Sequence, residues 1–202
     1  MKNKGIFISF EGPEASGKSS QILLLKKFLS KKKYPFIVTR EPGGTKFSEN
    51  LRKIILNNKS NLDNIEEILL LMASRSHHIN NIIKPNLKNG KIVITDRFAD
   101  STFVYQGYVN NFGIKKAMKL HSDLLNNFLP NYTFILNLDP KQIIARLKSR
   151  KNRNKYDKID LLFHKKVILG YKKISQNRRY INLDASLSKD IIHNNILKIL
   201  KL

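Results

Sequence analysis

Short runs of apolar residues alternate along the chain with longer stretches in which apolar residues recur every three or four positions. The short runs are Gly5 to Phe10, Phe36 to Thr39, Ile92 to Thr95, Thr133 to Leu138 and Tyr180 to Leu183. Each has the length of a β-strand, and most are rich in Ile, Val and Phe. Between them, Ile22, Leu25, Phe28 and Leu29, or Ile65, Ile68, Leu69 and Met72, fall at helical spacing. Strands alternating with helices predict βαβ units, and so an α/β domain with a mainly parallel sheet covered on both faces. Ile6-Phe7-Ile8-Ser9-Phe10 and Ile92-Val93-Ile94 are apolar almost without interruption, as central strands buried on both sides must be, which makes them neighbours.

Breakers divide the rest. Pro85 and Gly90 are expected to close a long helix that begins near Asn64, and Pro130 and Pro140 to bracket the fourth strand. The run from Lys148 to Lys158 is almost wholly polar with no core-facing period, and reads as an exposed, mobile connection between two helices. There is no repeat or low-complexity linker, so residues 1–202 form one expected domain.

Composition narrows the class. With 202 residues, 41% of them apolar, the chain can bury a substantial core. It has no cysteine, which excludes a disulfide framework and a Cys-ligated metal site and makes the cytoplasm the expected compartment. No segment reads as a cleavable leader or a membrane span. A net charge of +23 raises nucleic-acid binding as a possibility, but the excess is scattered lysine rather than one patch. No nucleic-acid or membrane partner is therefore expected, and the positive field serves to gather phosphate-bearing substrates.

The first strand leads through Gly12-Pro13-Glu14-Ala15-Ser16-Gly17-Lys18-Ser19, with Ser20 following, into an amphipathic helix. Glycines at this separation free consecutive backbone N–H groups to surround a phosphate at a helix N-terminus. Lys18 would reach the β- and γ-phosphates of ATP, and the Ser19 hydroxyl would ligate Mg²⁺. Thr95-Asp96-Arg97-Phe98 leaves the carboxyl end of another buried strand, where ligands of open α/β sheets bind. That places Asp96 near the metal and Arg97 near the phosphates. Thr39-Arg40-Glu41-Pro42-Gly43-Gly44-Thr45 makes a third exit of the same kind. Three strand ends converging with Lys18, Arg40, Arg97 and carboxylates suit transfer between two phosphate-bearing molecules.

These elements, together with Ser101 and Tyr105-Gln106-Gly107, make the chain resemble the thymidylate kinase family from Ile6 to about Ile196. The resemblance implies a P-loop NTPase-type three-layer sandwich with a five-stranded parallel sheet and a mobile lid at about 148–158. It implies transfer of a phosphoryl group from ATP to dTMP with Mg²⁺, in the supply of dTTP, and commonly a homodimer. Glu14 matches an acidic position near acceptor and metal, and Arg97 a clamp on the acceptor phosphate. Glu41 matches a residue at the sugar, and Arg40 and Arg52 fall at acceptor and phosphate contacts. Arg75, Thr102 and Gln106 match residues facing the base, and Tyr105 one under the deoxyribose. Position 15 carries no arginine, so the catalytic cation is expected from the lid, with Arg146, Arg150, Arg153 and Lys155 as candidates.

Some positions depart from the family. Ala15 replaces a glycine, Leu71 stands where an aromatic stacks on thymine, and Asn154-Lys155 takes the place of Asp-Arg. Another nucleoside monophosphate or deoxynucleoside kinase remains the nearest alternative. A guanine-reading switch protein is disfavoured because Asn58-Lys59-Ser60-Asn61 lacks the terminal Asp and follows no strand.

Overall fold

The computed structural model describes residues 5–57, 59–148 and 161–202. Its strands are β1 (Ile6–Glu11), β2 (Phe36–Arg40), β3 (Ile92–Asp96), β4 (Tyr132–Asn137) and β5 (Tyr180–Asp184). They lie in the order β2-β3-β1-β4-β5, and every adjacent pair is parallel. β1 and β3 are neighbours as their apolar runs require, with Ile6 opposite Ile92 and Phe10 opposite Asp96.

Strand alternation splits the core in two. Phe7, Val93 and Ile135 point to one face, where α3 (Asn64–His78), α6 (Ile114–Leu125) and α8 (Leu161–Ile174) cover them. Ile8, Phe10, Ile94 and Phe134 point to the other, under α1 (Lys18–Lys31), α7 (Pro140–Lys148) and α9 (Lys189–Leu200). Each fully buried side chain of this size contributes about 1.5–3 kcal/mol, so both layers are needed to hold β1 in the centre. A further helix, α2 (Lys46–Leu56), sits beside α3 with Ile55 buried. No helix among the described residues is long and apolar enough to cross a membrane.

The helix beginning at Asn64 has a reciprocal cap, Asp63 accepting from the Glu66 N–H and Glu66 from the Asp63 N–H. Its far end corrects the sequence expectation. The chain continues through a π-helical stretch, Ile79–Ile83, into α4 (Lys84–Lys88), and Pro85 lies in the first turn of α4. A proline there lacks only an N–H that needs no helical partner, so it does not stop the helix. Gly90, at φ 75, does. A second π-helical stretch, Phe103–Val109, extends the short α5 (Ala99–Thr102) and was not visible in the apolar pattern.

The first crossovers carry the chain from β1 to β2 and back to β3 on one side of β1, and the next strand, β4, pairs on the other side. A crevice opens at the carboxyl end of β1 where the direction changes, and the functional groups collect there.

Candidate active site

Residues 12 to 19 turn the chain from β1 over the sheet edge into α1. Gly12 has φ 130, and a Cβ on it would sit 2.5 Å from the Leu136 carbonyl oxygen, so no other residue passes. Gly17, at φ 97, precedes the first residue of α1 in the left-handed conformation. Ala15 is also left-handed, at φ 55, which costs a residue with a Cβ about 1–2 kcal/mol. The loop therefore presents backbone N–H groups at the start of a helix, an arrangement suited to anions. Lys18 Nζ folds back to donate to the carbonyls of Gly12 at 3.1 Å and Pro13 at 2.8 Å. Burial, and then the Arg97 charge, lower its pKa to about 8. Ser19 Oγ donates to Asp96 Oδ2 at 3.2 Å, joining the P-loop helix to the end of β3.

Arg97 follows β3 with φ 69. Its N–H donates to the Phe10 carbonyl at 3.0 Å, and its own carbonyl accepts from Thr95 Oγ1 at 2.8 Å, so the left-handed turn is pinned from both sides. Nη2 pairs with Glu14 Oε1 at 2.7 Å. Nη1 donates to Gly12 O, Ser101 Oγ and Tyr171 Oη at 3.0, 3.0 and 3.2 Å. The guanidinium lies 5.2 Å from the centre of the Tyr105 ring. Burial disfavours its charge, but Glu14, with Tyr105, Tyr171 and Glu11, holds its pKa well above the ordinary value.

Beneath Arg97 is Glu11, wholly buried at the end of β1. Its Oε1 accepts from the Phe98 N–H at 2.7 Å and from Ser9 Oγ at 3.2 Å. Its Oε2 accepts from Ser101 Oγ at 2.7 Å and Tyr171 Oη at 2.8 Å. Burial, and then the nearby Asp100 charge, push its pKa up to about 7. Asp100 is itself held by Arg179 at 2.6 and 2.8 Å and by the Tyr180 hydroxyl at 2.8 Å.

A second buried network lies on the β2 side. Glu41 Oε2 accepts from Arg75 Nε at 2.7 Å, and Oε1 lies 2.9 Å from His78 Nδ1, while His78 Nε2 lies 2.7 Å from Thr39 Oγ1. Burial opposes the Glu41 charge, yet Arg75 and His78 keep its carboxyl below the usual range. Arg75 Nη2 donates to Thr102 Oγ1 at 2.8 Å, and its carbon lies 5.3 Å from the centre of the Phe98 ring. Gln106 Nε2 donates to Glu67 Oε1 at 3.1 Å. Of these groups Glu41, Arg75, Phe98, Thr102 and Gln106, with Leu71 and Tyr105, line one end of a cleft of about 380 Å³ whose other end is lined by Gly17, Lys18, Ser19 and Asp96. Arg97 and Glu14 lie on the same wall.

The family model described as thymidylate kinase matches residues 10–196. The chain belongs to the thymidylate kinase family. It is thus a phosphotransferase of the nucleoside monophosphate kinase type. A thymidylate kinase of Acholeplasma laidlawii is 42% identical over 204 aligned positions, covering 96% of this chain and 99% of the relative. One from a Geobacillus species is 41% identical, covering 93% and 91%, and one from Caldicellulosiruptor saccharolyticus is 37% identical, covering 98% and 96%.

The cleft brings together most of the residues expected from the sequence. Glu14, Ala15, Ser16, Gly17, Lys18, Ser19 and Ser20 line its P-loop side, and Glu41, Leu71, Arg75, Asp96, Arg97, Ser101, Thr102, Tyr105 and Gln106 line the rest. Gly12 and Pro13 contribute carbonyls under Lys18. Arg40 and Arg52 also line the cleft, but Arg40 is engaged with Glu49 at 2.8 Å and Arg52 with the Pro42 carbonyl at 2.7 Å. Arg146 donates to the carbonyls of Ala15 and Ala185, at 3.3 and 3.1 Å. Arg150, Arg153 and Lys155 lie outside the described residues.

Glu11, Glu67, His78 and Tyr171 received no role from the sequence. Glu11 immediately precedes the P-loop motif, but nothing in a motif says that its carboxylate turns inward under Arg97. Tyr171 looks like any tyrosine on the apolar face of a helix. His78 had a usable signal, since it falls one helical turn after Arg75 and so shares its face.

Proposed function

We propose that the protein phosphorylates dTMP to dTDP with ATP as donor, by direct in-line transfer without a phosphorylated enzyme. The observation that carries this reading is a single cleft with a P-loop at one end and the Arg75, Thr102 and Gln106 cluster at the other, with Arg97 on the wall they share. An oxygen of the dTMP phosphate attacks the γ-phosphorus of ATP, and the bond from that phosphorus to the ADP oxygen breaks. The P-loop N–H groups and Lys18 hold the donor phosphates. Arg97 draws the acceptor phosphate towards them and offsets charge between two anions that would otherwise repel. Arg75, Thr102 and Gln106 face the base, Tyr105 lies under the deoxyribose, and Leu71 supplies an aliphatic wall. Glu41 orients Arg75, and Arg40 and Arg52 guard the acceptor side. The catalytic cation that Ala15 cannot supply is assigned to Arg150 or Arg153.

Ser19 and Asp96 fit Mg²⁺, because their oxygens are hard ligands only 3.2 Å apart at the start of α1. A Mg²⁺ with so few protein ligands would complete its coordination with phosphate oxygens and water. Bound there, Mg²⁺ would neutralise charge on the β- and γ-phosphates. Glu14 was expected to help, but its carboxylate pairs with Arg97. We place the enzyme in the cytoplasm as a homodimer. Ile65 and Leu69, one turn apart on α3 and 59% and 54% exposed, support an apolar contact there.

The deciding experiment compares dTMP, dUMP, AMP, CMP and thymidine as acceptors at saturating ATP. Preference for dTMP is expected, and preference for any other compound overturns the assignment.

A further inference from the structure

The position of Arg97 depends on three separate parts of the chain. Its Nη1 is held by a P-loop carbonyl, by Ser101 and by Tyr171 of α8. Two of these three acceptors are hydroxyl groups, and a hydroxyl accepts only if its own proton is directed elsewhere. Both lie within donating distance of the same atom, Glu11 Oε2, Ser101 at 2.7 Å and Tyr171 at 2.8 Å, and they are 3.1 Å from each other. The buried carboxylate therefore sets the direction of both hydroxyls and turns their lone pairs towards the guanidinium. Its other oxygen holds the Phe98 N–H at 2.7 Å, fixing the backbone immediately after Arg97.

α8 sits close enough for this contact because Gly170 adjoins Tyr171. A Cβ at Gly170 would lie 2.8 Å from Val104 Cγ1 and 3.0 Å from Tyr108 Cδ1. The tyrosine ring is fully buried, yet its hydroxyl serves only polar partners at the edge of the cleft.

From this geometry we propose that Tyr171, anchored on Glu11, is a positioning residue that orients Arg97 for the acceptor phosphate. The inference rests on the reading of Arg97 as the acceptor clamp. Tyr171 touches no substrate in this role. It fixes which face of the guanidinium stays free, and so places the attacking oxygen relative to the donor.

The test is a kinetic double-mutant cycle between Tyr171→Phe and Arg97→Ala, with thermal midpoints recorded alongside. Tyr171→Phe keeps the ring packing and removes only the hydroxyl. It should lower kcat by roughly tenfold or more, as small misplacements of reacting groups do, while KM for ATP stays within about twofold. In the Arg97→Ala background the same change should cost no more than about twofold, because there is no longer a guanidinium to orient. A merely structural tyrosine would lower the thermal midpoint and cost the same factor in both backgrounds, and such independent losses overturn the inference while leaving the function intact. Near-normal turnover in Arg97→Ala would overturn the acceptor-clamp reading and this inference with it. Should Tyr171→Phe fold poorly, Ser101→Ala asks the same question through the second hydroxyl, and the same non-additivity is expected.

Discussion

The two ends of the cleft are built in different ways. The donor end is made largely of backbone: Gly12, Ala15 and Gly17 adopt positive φ, which suits main-chain groups to a phosphate, with side chains from Lys18, Ser19 and Asp96 beside them. The acceptor end is made of side chains that grip one another. Glu11, Ser101 and Tyr171 hold Arg97, while Glu41, His78 and Thr102 hold Arg75. A backbone cradle fits a group shared by every nucleoside triphosphate. A particular acceptor requires directional groups, and keeping these still in a buried site requires partners for each of them.

The contrast can be broken most forcefully at the charges. Lys18→Ala should lower kcat by on the order of a hundredfold or more, through lost stabilisation of the transferring group, with the thermal midpoint little changed. Steady-state kinetics with calorimetry checks both. Arg75→Ala should behave differently. It leaves the Glu41 carboxylate buried with only His78 beside it, so the fold should lose about 3–5 kcal/mol. Denaturant unfolding measures this, and the affinity for dTMP should fall with it. A stable Arg75→Ala protein with normal dTMP affinity would erase the distinction between the two ends.

A pH profile sharpens it further. Lys18 titrates near 8 in the free protein because burial and Arg97 disfavour its charge. On the proposed reading the protonated form binds phosphate, so kcat/KM for ATP should be full below that value and fall as pH rises through it. Lys18→Arg, whose group stays charged, should lose this break. The smallest expected effect is at Ala15. Ala15→Gly relieves a left-handed Cβ and should stabilise the protein by about 1 kcal/mol or less with kcat unchanged, which thermal unfolding would show.

The same contrast explains what could be read from the residues in advance. The strands, the P-loop and the exits at Arg40 and Arg97 were legible because each is local: a run of apolar residues or a glycine spacing states its own conformation. The neighbouring positions of β1 and β3 followed from their unbroken apolarity. Pro85 misled because a proline in a helical pattern has two readings, and only the preceding π-helical stretch decides that the helix survives it. Glu11 and Tyr171 were silent for another reason. Their roles arise from partners 87 and 160 positions away, and no local pattern records such pairings.

The hydrogen bond between Tyr171 and Glu11 also spans the chain in time. Synthesis runs from the N-terminus at about 5–20 residues per second, so on the order of ten seconds separates the two partners on the ribosome. Through that interval β1 and the P-loop exist without the tyrosine beneath Arg97, and β5, which brings Tyr180 to Asp100, emerges later still. Since a domain folds as a unit, the support beneath Arg97 is complete only after α8 and β5 have emerged and docked.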